Sequence, residues 1–518
     1  MRLPFVRRDR NARAKTGFAR MLLLIGMGMM IPCYLFTVAN VALSPWPLYE
    51  RNRLALALLT PCCLIGLLLL MRAAENPVFV RHEKGVLACF ALFYFAVQMF
   101  MATQLRFVPI TDAEQCFTAA QLLADTGTYG NVERPFIYFT RYPHNLGLVY
   151  LLSGIFRLFG ALGMTDRFMQ AVFVCSLLFT LGLLSSARLC RRLGGVQAQT
   201  RLLFLAATCL PFLYCTTELY TDAFSLAFPT MITDCFLRAR CGKTRRSQIM
   251  WAVLFGVCAF LGSQIRFTAL IAAIACLIAA LFDRRVKLTA LLAVPLAICF
   301  AAGGLLVQAE NVRHLGKDNL ERYTLPKLHY IAMGLPVQSD EGYGQYGYGG
   351  WLVFSTSFDD PQERDAALLS EVIDRIYYLR YPSRLLNMMS RKNLSTFGDG
   401  TFRLNEIIEG DEHEADNLIK QFVFAQGTMY PAYYHLCTAL FLAQMLLACL
   451  ACAQCIRRRE TSAAALFVAL LGIFLFLCMW ETRARYFFQF ELMLLCAGAM
   501  IHPPHRLTAR RIISTHSE

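Results

Sequence analysis

The chain has 518 residues, 57% of them hydrophobic and 16% charged, against about 25% charged in an average soluble protein. That balance excludes a soluble enzyme and calls for many membrane spans rather than a single anchor. The formal net charge of +15 does not indicate nucleic acid, because Lys and Arg occur as short clusters between apolar runs, the pattern of cytoplasmic loops.

A helix needs about 20 apolar residues to cross the hydrocarbon, or about 17 at the short end. Candidate spans are 21–43, 54–71, 85–104, 166–187, 202–217, 223–238, 248–263, 267–282, 288–306, 433–455, 462–480 and 486–501. The first follows Arg7, Arg8, Arg10, Arg13 and Lys15, and its apolar stretch is too long for the core of a cleaved signal. Segment 143–160 is also apolar, but counting it as a span would place the basic loop Arg188, Arg191, Arg192 and Arg201, and every later basic loop, outside. Laid along the outer surface, it leaves 188–201, 238–247, 283–287, 457–459 and the tail with Arg506, Arg510 and Arg511 all in the cytoplasm. Arg51 and Arg53 are the exception, falling outside.

The expected architecture is therefore an all-α polytopic plasma-membrane protein of about twelve spans with both termini cytoplasmic, plus extracytoplasmic surface helices and a mixed outer segment. Its parts are three N-terminal spans with a basic tail (1–104), a first outer loop with an acidic motif and a surface helix (105–165), and central membrane helices (166–306). An extracytoplasmic segment (307–432) and C-terminal spans with a basic tail (433–518) complete it. Within 307–432 the spacing of Leu368, Leu369, Val372, Ile373 and Ile376 predicts a helix. The run Gly342 to Gly350 is too rich in glycine for one and reads as a flexible loop.

Most of the 20 cysteines lie in apolar runs, where the side chain acts as a small hydrophobe. None falls between Cys299 and Cys437, so segment 307–432 has no disulfide framework. The one CxxC, Cys452 to Cys455, reads as a helix end rather than a zinc site. Gly242-Lys243-Thr244 resembles the end of a phosphate loop but lacks its first glycine. The acidic run from Glu409 to Asp416 has the donors for calcium or zinc, but a solvated acidic loop is the stronger reading.

The candidate chemistry collects on the outer face. Asp112 and Glu114 follow the third span immediately, placed to serve as a base or to share a cation, or simply to begin a helix. A second acidic pair, Glu218 and Asp222 around Tyr220, returns to the same face between two spans with basic far ends. Arg266 lies between two short apolar helices, and Arg483 and Arg485 lie in the last outer turn. A guanidinium at headgroup depth suits a phosphate by bidentate hydrogen bonding, and also suits snorkelling to anionic lipids.

These features together resemble the GT-C superfamily of membrane glycosyltransferases, which take sugars from polyprenyl-phosphate carriers; protein O-mannosyltransferases and aminoarabinose transferases are members. The matching segments are Asp112-Ala113-Glu114 for the acidic motif of the first outer loop, Tyr142-Pro143-His144 opening a surface helix, and Tyr220-Thr221-Asp222 for the second acidic motif. His329 to Leu335, Ser357 to Asp359, Gly398 to Phe402 and Glu481 to Tyr486 look similar to uncharacterised Gram-positive members thought to decorate cell-wall polymers such as teichoic acid. Two departures stand out: Ala113 splits the acidic pair, and two extra spans precede it.

The resemblance implies an inverting sugar transfer from a polyprenyl-phosphate-sugar to an extracytoplasmic polymer, glycolipid or protein. Asp112 would be the general base, with Glu114 beside it in the catalytic pair. Glu218, Tyr220, Asp222, Arg266, His329, Arg483, Arg485 and Tyr486 would bind substrate. The cofactor it allows is a divalent cation, magnesium or manganese, with Asp112, Glu114 and Asp222 as candidate ligands. The partners are then the lipid-linked donor, the acceptor and membrane lipids, without nucleic acid. Two other functions fit the same outline: a lipid-linked sugar flippase or transporter, and a polymerase or ligase of surface polysaccharide.

Overall fold

The computed structural model describes residues 10–46, 48–49, 51–338, 340–408 and 415–501, with side chains from Gly17 onward and without that of Ile407. The side chains of the basic N-terminal cluster, the tail with Arg506, Arg510 and Arg511, and 409–414 of the acidic run lie outside the described residues.

Among the described residues, seven helices are long and apolar enough to cross a membrane: Gly17–Leu43, Arg53–Ala74, Glu83–Gln104, Arg167–Ala206, Arg245–Ile265, Val286–Leu315 and Tyr430–Arg457. Two shorter apolar helices, Phe267–Phe282 and Ala464–Met479, stand among them. The other three expected crossings are broken. Gly195, with φ at 77°, interrupts the long helix Arg167–Ala206. Beyond Ala206 the chain runs as 3₁₀ turns, Leu210–Leu213 and Cys215–Thr217, so 202–217 is not a continuous span. Pro211 lacks the amide proton that a continuing α-helix needs there. The stretch 223–238 divides into Thr221–Ser225 and Phe228–Cys241, and 486–501 into Arg485–Phe488 and Glu491–Ala499.

One end of the bundle gathers the basic loops. Asp234 receives Arg238 at 2.8 Å, Arg188 at 3.2 Å and Arg192 at 3.5 Å. Arg240 meets Asp283 at 2.8 Å, and Arg191 pairs with Glu83. Thr244 of the Gly-Lys-Thr triplet caps the next helix, accepting from the Ser247 amide at 3.2 Å, which gives that triplet a structural purpose. Arg51, anomalous in the charge pattern, is consumed locally: its guanidinium donates to the carbonyls of Val41, Ser44 and Trp46, each at 2.7 Å. Those carbonyls cap the end of Gly17–Leu43, where a cation is favoured by the helix dipole.

The other end carries 105–165 and 307–432. The described residues of the latter form helices joined by turns, with no strand, rather than a mixed segment. Its helices Lys327–Gly334, Pro361–Leu379 and Pro382–Phe397 enclose a small second core of Tyr330, Met333, Trp351, Leu368, Val372 and Met388. The end of Pro382–Phe397 leaves that core and enters the main one through Leu394 and Phe397. Gly147 opens the helix Leu146–Ala161 against Gln264, where a Cβ would lie 1.9 Å from the Gln264 carbonyl oxygen. This close approach sets the start of that helix beside Arg266.

Lys392 joins the two cores. It is buried, and its ammonium donates to the carbonyl of Gly334 and, at 2.6 Å, to that of Trp480. Burial pushes the Lys392 amine down to about 7, whereas in the unfolded chain it titrates near about 10.4. Between these values the unfolded chain holds a proton that the folded one has lost, so stability rises with pH across the window. We predict that thermal stability in detergent increases from pH 7 to pH 9, with a slope of up to about 1.4 kcal/mol per pH unit, and that Lys392→Met flattens it. A slope unchanged in Lys392→Met would contradict the assignment.

Candidate active site

The site is built from turns at the ends of helices. Asp112 begins the helix Thr111–Thr126 directly after Thr111, which has φ at 53°. The second acidic motif follows Leu219, with φ at 49°. Phe402 and Arg403 are also left-handed, at 56° and 48°. Such values are costly for branched and bulky side chains, and they persist where surrounding contacts hold them. Three strained turns thus border one cleft.

Within the cleft, Tyr220 donates to Asp112 Oδ2 at 3.4 Å, and Tyr138 also hydrogen-bonds to Asp112. The Tyr138 hydroxyl accepts from Asn145 Nδ2 at 2.8 Å, so the carboxylate is steered by phenols from two different elements. His144 keeps open surface although protein closely surrounds it, so it lines the cleft rather than the exterior. Burial holds its imidazole at about 4, with Asp112 raising and Arg266 lowering it; the ring is neutral at neutral pH.

Beside this lies a charged row. Asp222, fully buried, receives Arg266 at 2.5 Å and Arg485 at 3.3 Å. Arg266 also donates to Thr221 at 3.0 Å and stands 4.4 Å over the Tyr486 ring. Arg485 lies 5.5 Å over Tyr220 and reaches Glu406 at 3.8 Å. Glu406 meets Arg403 at 2.6 Å and Arg483 at 3.6 Å. The Tyr486 hydroxyl donates to Glu481, whose carboxyl burial pushes upward. Glu218 is fully buried; the Ala223 amide hydrogen-bonds it, and among the described residues no guanidinium forms an ion pair with it. Burial, reinforced by Asp222, drives its pKa well above the usual carboxylate range. Burial also raises Asp222, against the two guanidiniums; of the two, Glu218, which forms no ion pair among the described residues, holds the proton, and Asp222, paired with both guanidiniums, the charge.

The glycine-rich run forms the roof. Gly344, with φ at 79°, has its carbonyl bound by the Thr482 amide at 2.8 Å. The turn thereby carries Tyr346 to Tyr142, with the two hydroxyls 2.7 Å apart. The Arg483 guanidinium donates to the Tyr346 carbonyl at 3.3 Å.

Of the residues singled out from sequence, Asp112, Tyr220, Asp222, Arg266, Arg483, Arg485 and Tyr486 converge, with Glu218 buried beneath them. Glu114 turns elsewhere: positions i and i+2 of a helix face apart, and Glu114 pairs with Arg134 at 3.1 Å. His329 lies in the second core, its Nδ1 2.7 Å from Ser355 Oγ and its ring edge-on to Tyr330. Burial lowers it to about 4. Among the described residues no three His, Cys, Asp or Glu side chains gather as a metal-holding group; Glu114 is paired with Arg134 and Asp222 with Arg266. Sequence reasoning missed Tyr138, Tyr142, His144, Tyr346, Glu406 and Glu481. His144 and Glu481 stand inside matched motifs, and Tyr346 inside the glycine run. Nothing in the sequence marks Glu406.

A bundle of apolar helices with a polar cleft at one end defines a multi-pass integral membrane protein. The chain belongs to a family described as conserved hypothetical integral membrane proteins, which matches residues 52–504. No curated protein matches the sequence. Among solved structures it is similar to the archaeal oligosaccharyltransferase AglB from Archaeoglobus fulgidus in complex with an inhibitory peptide and a dolichol-phosphate. The identity is 15% over 79% of this chain and 50% of that one, with a TM-score of 0.39. It is also similar to ArnT from Cupriavidus metallidurans bound to undecaprenyl phosphate, at 14% identity over 80% of this chain and 78% of that one, with a TM-score of 0.36. The chain thus spans about half the length of the oligosaccharyltransferase. Likeness at this level assigns neither activity nor substrate.

The proton assignment separates two isosteric variants. Glu218→Gln replaces a neutral acid with a neutral amide and is expected to leave thermal stability nearly unchanged. Asp222→Asn strands two nearly buried guanidiniums and is expected to cost about 3–5 kcal/mol, read as a large drop in melting temperature. Equal losses in both would reverse the assignment.

Proposed function

We propose that the protein is a membrane glycosyltransferase that moves a sugar from a polyprenyl-phosphate donor to a hydroxyl acceptor on the extracytoplasmic side, with both termini in the cytoplasm. The observation that carries this reading is the convergence of Asp112 with a row of arginines in one cleft at the end of a membrane bundle. A sugar phosphate has a good leaving group, so the chemistry lacks chiefly a strong nucleophile and a place for the departing charge.

In this reading the acceptor hydroxyl gives its proton to Asp112 as its oxygen attacks the anomeric carbon. The bond from that carbon to the phosphate oxygen breaks, and its electron pair leaves with the lipid phosphate. Tyr138 and Tyr220 orient the base. Arg483 is 27% exposed and held by Glu406 only at 3.6 Å, which leaves it the freest of the cleft arginines to meet the phosphate. Arg266 and Arg485, each 13% exposed and bound to Asp222, supply a fixed positive field, worth most where water is excluded. Neutral His144 and the Tyr142–Tyr346 pair line the space left for the sugars. No step is routed through a divalent cation. Cell-wall polymers such as teichoic acid are the acceptor class that the motif resemblance favours.

One observation favours a transporter instead: Glu491 is fully buried among apolar helices with no hydrogen-bond partner for its carboxyl group among the described residues, as in proton-coupled carriers. Sugar transfer by the purified protein discriminates. Asp112→Asn and Asp112→Ala are each expected to lower turnover by about 10²–10⁴-fold, and Arg483→Gln by about 10²-fold with partial recovery in Arg483→Lys. Full turnover in both Asp112 variants would remove that residue from the mechanism, and lipid-linked sugar translocated without transfer would establish the carrier.

A further inference from the structure

The helix Pro361–Leu379 has two apolar faces, and only one is packed. Leu368, Val372 and Leu379 point into the second core. Leu369, Ile373, Ile376 and Tyr377, spaced i, i+4, i+7 and i+8, form a separate stripe that is 48%, 56%, 58% and 65% exposed. Glu363, Glu371 and Asp374 lie on the remaining side of the helix. Single exposed aliphatics are ordinary, but a continuous stripe marks a surface that something apolar covers.

The end of the stripe shows what covers it. Arg380 stands 3.5 Å over the Tyr377 ring and 4.7 Å over Tyr381, and Arg384 stands 4.1 Å over Tyr378 and 4.7 Å over Tyr381. Tyrosines interleaved with arginines are the composition of a membrane–water boundary, where the rings sit at headgroup level and the guanidiniums meet phosphate. No ion pair holds Arg380 or Arg384 among the described residues, so their charge is available to anionic headgroups.

Height relative to the bilayer follows from the next helix. In Pro382–Phe397, Ser390 and Asn40 share two hydrogen bonds, and Asn393 donates to Thr37 at 2.9 Å. Thr37 and Asn40 belong to the last turns of the membrane helix Gly17–Leu43, and Arg391 lies 5.7 Å over Trp46 just beyond it. Residues 390–393 are thus level with the rim of a span. Exposed Leu385 and Leu386 stand about one turn, or about 6 Å, before them.

We infer that the corner formed by Pro361–Leu379 and the start of Pro382–Phe397 rests in the bilayer leaflet on the cleft's side. Its aliphatic stripe is covered by acyl chains, and Arg380 and Arg384 hold anionic phospholipid headgroups. The segment then lies down on the membrane beside the cleft instead of standing free in solvent. This inference is independent of the reaction assigned to the cleft.

The test places a photocrosslinking residue at three sites of the full chain, reconstituted in nanodiscs of phosphatidylglycerol and phosphatidylcholine. Ile376→p-benzoylphenylalanine probes the stripe and Glu363→p-benzoylphenylalanine the acidic face. Leu305→p-benzoylphenylalanine, on a span residue that is 73% exposed, reports ordinary lipid contact. After irradiation, mass spectrometry is expected to find phospholipid adducts at 376 within about twofold of the yield at 305 and at least about tenfold above that at 363. Protein adducts at 376, equal lipid yields at 376 and 363, or no adduct at 376 alongside a strong one at 305 would each overturn the inference. All three positions are surface residues, so the variants retain their packing.

Discussion

The carboxylate of Asp222, fully buried between Arg266 and Arg485, is the contact through which the distant parts of the chain meet. Asp222 stands in the turn after the broken crossing, and its two partners come from the junction of Arg245–Ile265 with Phe267–Phe282 and from the turn that follows Ala464–Met479. Removing two guanidiniums and a carboxylate from water is expensive unless each charge is matched. Asp222 offsets one positive charge and Glu406, 3.8 Å from Arg485, a second, with Thr221, Tyr486 and Tyr220 filling the remaining faces. Glu218 stays tolerable beside Asp222 only by keeping its proton. Once that row is set, Glu406 and Arg483 extend it toward the cleft, and Tyr220 extends it to Asp112.

Strain is concentrated around the same row. Thr111, Leu219, Phe402 and Arg403 all hold left-handed backbone, and each directly precedes or belongs to a segment lining the cleft. Regular helix at these points would turn Asp112 and Tyr220 toward the bundle or the solvent. The broken crossing after Ala206 serves the same end: a straight helix through 202–217 would carry Glu218 and Asp222 on one cylinder, whereas 3₁₀ turns let them fold beneath Arg266 and Arg485. Irregular backbone at membrane depth is tolerated where protein buries it, and the chain from Pro211 to Ser225 is buried almost throughout.

Segment 307–432 contributes in two ways. Its glycine-rich turn brings Tyr346 over Tyr142, and its helix Pro382–Phe397 ties Trp480 and Gly334 together through Lys392. The closing turn that carries Arg483 and Arg485 is therefore braced from both sides. Docking of the Tyr377–Leu386 corner in the leaflet would fix the height of this roof relative to a lipid-borne substrate.

Much of the fold was legible because hydrophobic runs and basic clusters obey simple physics: nine of the twelve expected crossings correspond to apolar helices. The three that break do so around Pro211, at Leu226-Ala227 and at Gln489-Phe490, where the interruption depends on neighbours. The acidic motifs and the arginines of the last turn were readable as chemistry, since charge beside apolar runs is conspicuous. Glu114 was misleading because adjacency in sequence is not adjacency on a helix, and His329 because a histidine in a matched motif can serve packing. Tyr138, Tyr346 and Glu406 could not be found, being ordinary residues that join the site through distant partners: Asp112 for Tyr138, Tyr142 for Tyr346, and Arg483 and Arg485 for Glu406. The sequence by itself therefore determined that the chain is a multi-pass helical membrane protein with charge gathered in its turns, because transfer of apolar side chains to the bilayer is a local, additive property. Only the tertiary structure decided which charges share a cleft, because pairing Asp222 with Arg266 and Arg485 depends on strained turns and broken helices that no local pattern specifies.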